Sequence, residues 1–173
     1  MMEELIYVDR RNSNCNKWDG QMAMFGEEGL HAMWVADMDF RTPDCIVDAM
    51  AKRLEHHAFG YFRMPQAYFD GIAKWQKERY GVDGVTADQV DYQNGVLGGV
   101  ISALNVLCSK GDSVLVHSPT YVGFTGALTN NGYYIVHSAL KKDEENVWRM
   151  DFADMEKKIV ENHIHACIMC SPH

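Results

Sequence analysis

NGVLGGVISALNVLCSKGDSVLVHSPTY, residues 94–121, is the stretch whose reading decides the fold. It opens on small residues, Asn94-Gly95-Val96-Leu97-Gly98-Gly99. Leu97, Ile101, Leu104 and Cys108 then recur at the spacing of one helical face, which predicts a helix to about Ser109. Lys110-Gly111-Asp112 ends it. Ser113 to His117 is a short apolar run without alternation, the pattern of a strand covered on both faces. Pro119 stops its continuation, and Tyr121 begins a further helix that reaches Asn130, with Asn131-Gly132 as its stop.

Toward the C-terminus, Tyr133 to Ser138 reads as the next strand. Asp151 opens a helix, with Asp154 three residues on as half of a capping box and Phe152, Met155 and Ile159 turned inward. His165 to Cys170 is the last strand. A short extended piece, Gln89 to Gln93, precedes the quoted stretch. Strands and helices therefore alternate from residue 89 onward, the signature of an α/β domain with a mostly parallel sheet flanked by helices. In such sheets ligands bind beyond the carboxyl ends of the strands.

Toward the N-terminus the pattern weakens. Thr42 is expected as an N-cap with Pro43 in the first helical position. Ile46, Met50 and Leu54 then form a stripe facing a core, to about His57. Another helix starts near Pro65, carries Tyr68, Ile72, Trp75 and Arg79 on one side, and ends at Gly81. The first forty residues lack periodicity and read as an arm anchored by Trp18, Met33, Trp34 and Phe40. Two regions follow: an arm with a helix over 1–58, and an α/β layer over 59–173.

Apolar residues make up 47% and charged residues 23% of the 173, an ordinary globular composition. A formal charge of −8 disfavours nucleic acid and acidic membranes as partners. No apolar run reaches the roughly 18 residues of a membrane span, and the start, Met1-Met2-Glu3-Glu4, lacks the basic region of a signal peptide. Five cysteines at irregular spacing suit reduced thiols, so a cytoplasmic location is expected.

Several segments suggest chemistry, each with a plainer explanation. At a helix N-terminus, the unpaired amides and glycines of residues 94–99 make a phosphate site, and they equally make a turn with tight packing. The spacing Gly95-x-x-Gly98-Gly99 is not that of a dinucleotide fingerprint. Tyr121 stands where an aromatic could cover a flat ligand, or where a core tyrosine could start a helix. Asp37 and Asp39 could be an acid/base pair, but alternation more simply makes them a cap and a solvated charge. His163, His165, Cys167, Cys170 and His173 look like metal ligands. On a strand, however, residues 163, 165 and 167 share one face and 170 points to the other, so no metal is expected.

It is the succession of segments that carries a resemblance. Trp34-Val35-Ala36-Asp37-Met38-Asp39-Phe40 with Thr42-Pro43, then Phe59-Gly60-Tyr61, Trp75 with Arg79-Tyr80-Gly81, Asn94-Gly95-Val96, Gly111 to Val116 and Pro119 to Phe124 follow one another. In that order they resemble the class I/II aminotransferase superfamily of pyridoxal-phosphate (PLP) enzymes, fold type I. The Ala36-to-Phe40 segment is similar to the MalY/PatB branch of cystathionine β-lyases and cysteine C–S lyases. The resemblance covers nearly all of this chain but only the first part of such an enzyme.

The resemblance implies the first part of the large PLP-binding domain, preceded by an N-terminal arm and helices. Gly95, Val96 and Leu97 match the loop that holds the cofactor phosphate. Tyr121 matches the aromatic on the pyridine ring, and Tyr61 matches a tyrosine that reaches into the partner subunit's site in a homodimer. Ala36 and Asp37 match the segment bordering the substrate pocket. Ser171-Pro172-His173 matches the start of a Pro-His-Asn-Pro stretch. The family's Schiff-base lysine, ring-nitrogen aspartate and carboxylate-binding arginine fall beyond residue 173. No residue here is therefore expected to be catalytic, and Lys110 reads as a solvated helix end. The implied reaction is cleavage of the β C–S bond of cystathionine and other cysteine conjugates to thiol, ammonia and pyruvate. An aminotransferase and an inactive truncated product are the alternatives, and the isolated chain is expected to be inactive.

Overall fold

The computed structural model describes residues 5–172, which divide into two compact units between Arg63 and Met64. In the first unit, a bridge between Tyr7 and Phe40 ties the arm to the segment after Trp34. Its hydrogen bonds run from Val8 N to Asp39 O (2.9 Å) and from Arg41 N to Ile6 O (2.8 Å). Two short helices follow, α1 (Asn16–Asp19) and α2 (Gln21–Phe25). The turn before α1 is organised by Asp19, whose carboxylate accepts the amides of Asn12, Ser13 and Cys15 at 2.8–3.0 Å. Gln21 is buried, and its side-chain amide pairs both ways with the Leu30 backbone. Irregular backbone can be buried only when such side chains satisfy it.

α3 (Asp44–Leu54) differs from expectation at both its cap and its stripe. Pro43, not Thr42, is the N-cap residue, and no side chain caps the helix. Ile46, Met50 and Leu54 are exposed, because no described residue of their own unit covers that face.

The second unit begins with α4 (Gln66–Tyr80), closed by Gly81 at φ 69°, as the glycine stop requires. The expected strand at 89–93 is not one. Ala87–Gln89 form a 3₁₀ turn, and the extended residues after it have no strand beside them among the described residues. Extended backbone becomes sheet only when a neighbour supplies the ladder.

The rest is a layered α/β unit. α5 (Val96–Leu107), β1 (Ser113–Ser118), α6 (Val122–Asn130), β2 (Tyr134–Ala139), α7 (Phe152–Glu161) and β5 (Ala166–Ile168) succeed one another. A small antiparallel hairpin, β3 (Lys141–Lys142) with β4 (Trp148–Arg149), interrupts them without any announcement in the sequence pattern. The parallel sheet has the order β2-β1-β5, with Val114 opposite both Ile135 and Ala166.

β1 is central, and its alternation serves two cores. Val114 and Val116 meet Leu104 of α5, Leu128 of α6 and Tyr133 on one face. Leu115 meets Met155 of α7 and Ile164 on the other. Of the expected inward trio on α7 only Met155 is buried; Phe152, the first residue of the helix, is 70% exposed. Asp151 does cap α7, accepting from the Asp154 amide at 3.3 Å. The Asp154 carboxylate instead accepts from buried Ser138 (2.7 Å) and from Lys158 (2.8 Å), pinning α7 to β2. Lys110 is exposed, as expected of a solvated helix end, and it is partnered as well. Its ammonium donates to the Asn131 carbonyl and lies 5.1 Å over the Tyr133 ring, closing the loop beside Gly111. Among the described residues no helix is long and apolar enough to cross a membrane.

Candidate functional site

The carboxyl end of β1 and the start of α5 supply the features that the sequence singled out. Gly95 is the N-cap of α5 with φ 79° and ψ 161°, a conformation that L side chains rarely adopt. Its N–H donates to the Gln93 carbonyl at 2.8 Å, closing a tight turn. No side chain caps the helix. The first-turn amides of a helix have no intrahelical acceptor, so Val96 and Leu97 present donors at the positive end of the dipole, and Val96 is largely exposed. Gly99 takes its place in the ladder by donating to Gly95 O at 3.1 Å.

Tyr121 leaves β1 after Ser118-Pro119-Thr120 and is the N-cap residue of α6. Its ring is half exposed and stands edge-on to Phe124, with centroids 5.4 Å apart. Gly123 lies directly beneath it. A Cβ at that position would come within 2.7 Å of Tyr121 Cζ and 3.0 Å of Leu97 Cδ1. Leu97 and Tyr121, separated in sequence by most of α5 and all of β1, therefore meet over one glycine. Sequence reasoning missed Gly123, although Tyr-x-Gly at the start of a helix signals a ring folded onto bare backbone.

Ala36, Asp37 and Tyr61 belong to the first unit. Tyr61 is fully exposed in an irregular stretch, and Ala36 is exposed. Asp37 is paired: its carboxylate accepts from Arg10 at 2.5 Å and its carbonyl from Lys17 at 2.8 Å. Asp39 departs from the expected solvated charge. Its side chain is only 13% exposed and accepts from Lys17 (2.8 Å), Trp18 Nε1 (3.1 Å) and Arg10 (3.3 Å). The hydrogen bond from Lys17, helped by Trp18 and Arg10, holds the Asp39 carboxyl below its ordinary value. Sequence reasoning missed this cluster as well; a lysine set among the apolar anchors of the arm was the available signal.

This geometry fits an anion held at a helix end beside a flat ring. Residues 34–173 match the family described as aminotransferase class I and II. The chain belongs to that family. Among its relatives, cystathionine beta-lyase PatB of Bacillus subtilis is 33% identical over 165 residues, covering 95% of the chain and 42% of the relative. Protein MalY of Escherichia coli is 30% identical over 166 residues, again 95% of the chain and 42% of the relative. The PLP-bound C–S lyase from Staphylococcus hominis superposes with a TM-score of 0.82 at 32% identity, over 96% of this chain and 42% of that one. Cystalysin from Treponema denticola, whose structure contains pyridoxal 5'-phosphate, gives 0.84 at 27% identity, over 100% of this chain and 44% of that one. The aminotransferase-family chain thus spans well under half the length of the relatives it matches.

Proposed function

We propose that the complete protein is a PLP-dependent lyase that cleaves the β C–S bond of cystathionine and related cysteine conjugates, giving with water a thiol, ammonia and pyruvate. The observation that carries this reading is the meeting of the uncapped α5 terminus and the Tyr121 ring over Gly123, in a chain similar to PLP-bound C–S lyases. The Val96 and Leu97 amides would hold the cofactor's phosphate, with Gly95 setting the turn that presents them. Tyr121 would cover one face of its ring and keep water from it. When bound, the cofactor supplies an electron sink for charge developing at the substrate's α-carbon.

Ala36 and Asp37 would border the amino-acid substrate. Arg10 already pairs the Asp37 carboxylate, so this border offers the substrate backbone rather than a free negative charge. Tyr61 would serve the site of a second subunit in a homodimer, a role consistent with its full exposure. We assign the base that moves the substrate's α-proton to no residue of 5–172; the Schiff-base lysine that the family resemblance implies would lie outside the 173 residues. The odd number of cysteines at irregular spacing supports cytoplasmic residence.

The complete PLP-loaded protein given cystathionine is expected to release pyruvate in step with thiol, while residues 1–173 alone release none. Transfer of the amino group to an added keto acid, without pyruvate, would make it an aminotransferase instead. Neither product from the loaded protein would end the enzymatic reading.

A further inference from the structure

Lys17 is only 9% exposed, although it sits in a four-residue helix near the start of the chain. Burying an ammonium is costly unless its charge is used. Both of its hydrogen bonds go to one short stretch: Nζ donates to the Asp37 carbonyl and to Asp39 Oδ2, each at 2.8 Å. The flanking side chains converge on the same place. Trp18 Nε1 donates to Asp39 Oδ1 at 3.1 Å, and Arg10 donates to both aspartates. Trp34 closes the loop by donating Nε1 to the Lys17 carbonyl at 3.3 Å. Residues 35–39 are in neither helix nor strand. Beyond the backbone bond from Val8 to Asp39, their conformation is held by side chains of the arm. Arg10 and Lys17 each grip main chain and side chain, Arg10 through the Met38 carbonyl at 3.3 Å, and Lys17 is the more deeply buried of the two.

We propose that Lys17 is a positioning residue for substrate: it fixes the Ala36–Asp37 backbone where that backbone borders the bound amino acid, without touching the substrate itself. This rests on the reading that residues 36 and 37 line the substrate pocket. A rigid wall contributes to binding because its ordering is completed before substrate arrives. Releasing it makes substrate binding supply that ordering, and the loss falls on KM while the chemical step keeps its rate.

The test is Lys17→Met in the complete PLP-loaded protein, which keeps the unbranched apolar stem of the side chain and removes its ammonium. The expected result is a KM for cystathionine raised about tenfold with kcat within about twofold of the parent. The cofactor's visible absorbance is unchanged, and amide hydrogen exchange is faster in peptides covering residues 34–40. A role confined to stability would lower the folded, cofactor-loaded fraction and leave KM alone, and that result overturns the proposal. If Lys17→Met does not fold, Asp39→Asn decides: a raised KM supports the proposal, and an unchanged one overturns it. An active parent whose KM ignores both changes sinks the role of Lys17 alone; a parent inactive on thioether amino acids removes the functional reading and this proposal with it.

Discussion

Gly123 and Asp39 show how much single residues decide. At Gly123 the absent Cβ is what lets Leu97 and Tyr121 meet. Gly123→Ala is expected to push the Tyr121 ring aside and weaken PLP binding by the complete protein about tenfold, or about 1.4 kcal/mol, in a cofactor titration. Gly126, three residues on in the same helix, leaves open space within 4 Å of where a methyl group would sit. Gly126→Ala should raise stability by roughly 0.5–1 kcal/mol in urea unfolding without changing cofactor affinity; equal effects at the two glycines would refute the steric account. Asp39 carries a pH dependence. Its carboxyl is held below the ordinary 3.8 in the folded state. The stability it contributes is therefore complete above that value and drains away as the pH falls through the lower, folded one. Fluorescence of Trp18 and Trp34 should report an acid transition below pH 3.8 that Asp39→Asn abolishes. Gly95 and Tyr121 were legible in the sequence because backbone needs and position after a strand are local properties. Gly123 and Lys17 were not, because their meaning lies in what folds back onto them.

At the level of elements, legibility followed burial. β1, α5 and α6 were readable because Val114, Val116, Leu104 and Leu128 pack into one core, and burial stamps its period on the sequence. Leu128 is fully buried, so Leu128→Ala should cost about 2–5 kcal/mol in denaturant unfolding; a loss under 1 kcal/mol, on the order of a surface change, would mean that the core closes over the gap. The failures have the opposite cause. α3 shows the right stripe, but its Ile46, Met50 and Leu54 find no cover among the described residues of their unit. Residues 89–93 have strand character without a strand to pair with among the described residues. The β3–β4 hairpin has two residues per strand, too few for alternation to register.

For the molecule as a whole, the three-stranded parallel sheet leaves the outer edges of β2 and β5 without a neighbouring strand among the described residues. Such edges invite pairing with another chain, and a net charge of −8 opposes it. Residues 1–173 alone are therefore expected to self-associate as salt screens that repulsion, with light scattering rising above the 19.7 kDa monomer between about 0.01 and 0.15 M ionic strength. A monomer throughout that range would show the edges to be protected.

The central position of β1 also has a consequence for how the protein is made. The ribosome delivers Val114-Leu115-Val116 before either of its sheet partners, Tyr134–Ala139 on one side and Ala166–Ile168 on the other. At translation rates of about 5–20 residues per second, the greasiest strand of the sheet waits on the order of a few seconds for its second neighbour. That interval makes the nascent β1 segment a natural client for chaperones that shield apolar stretches during synthesis.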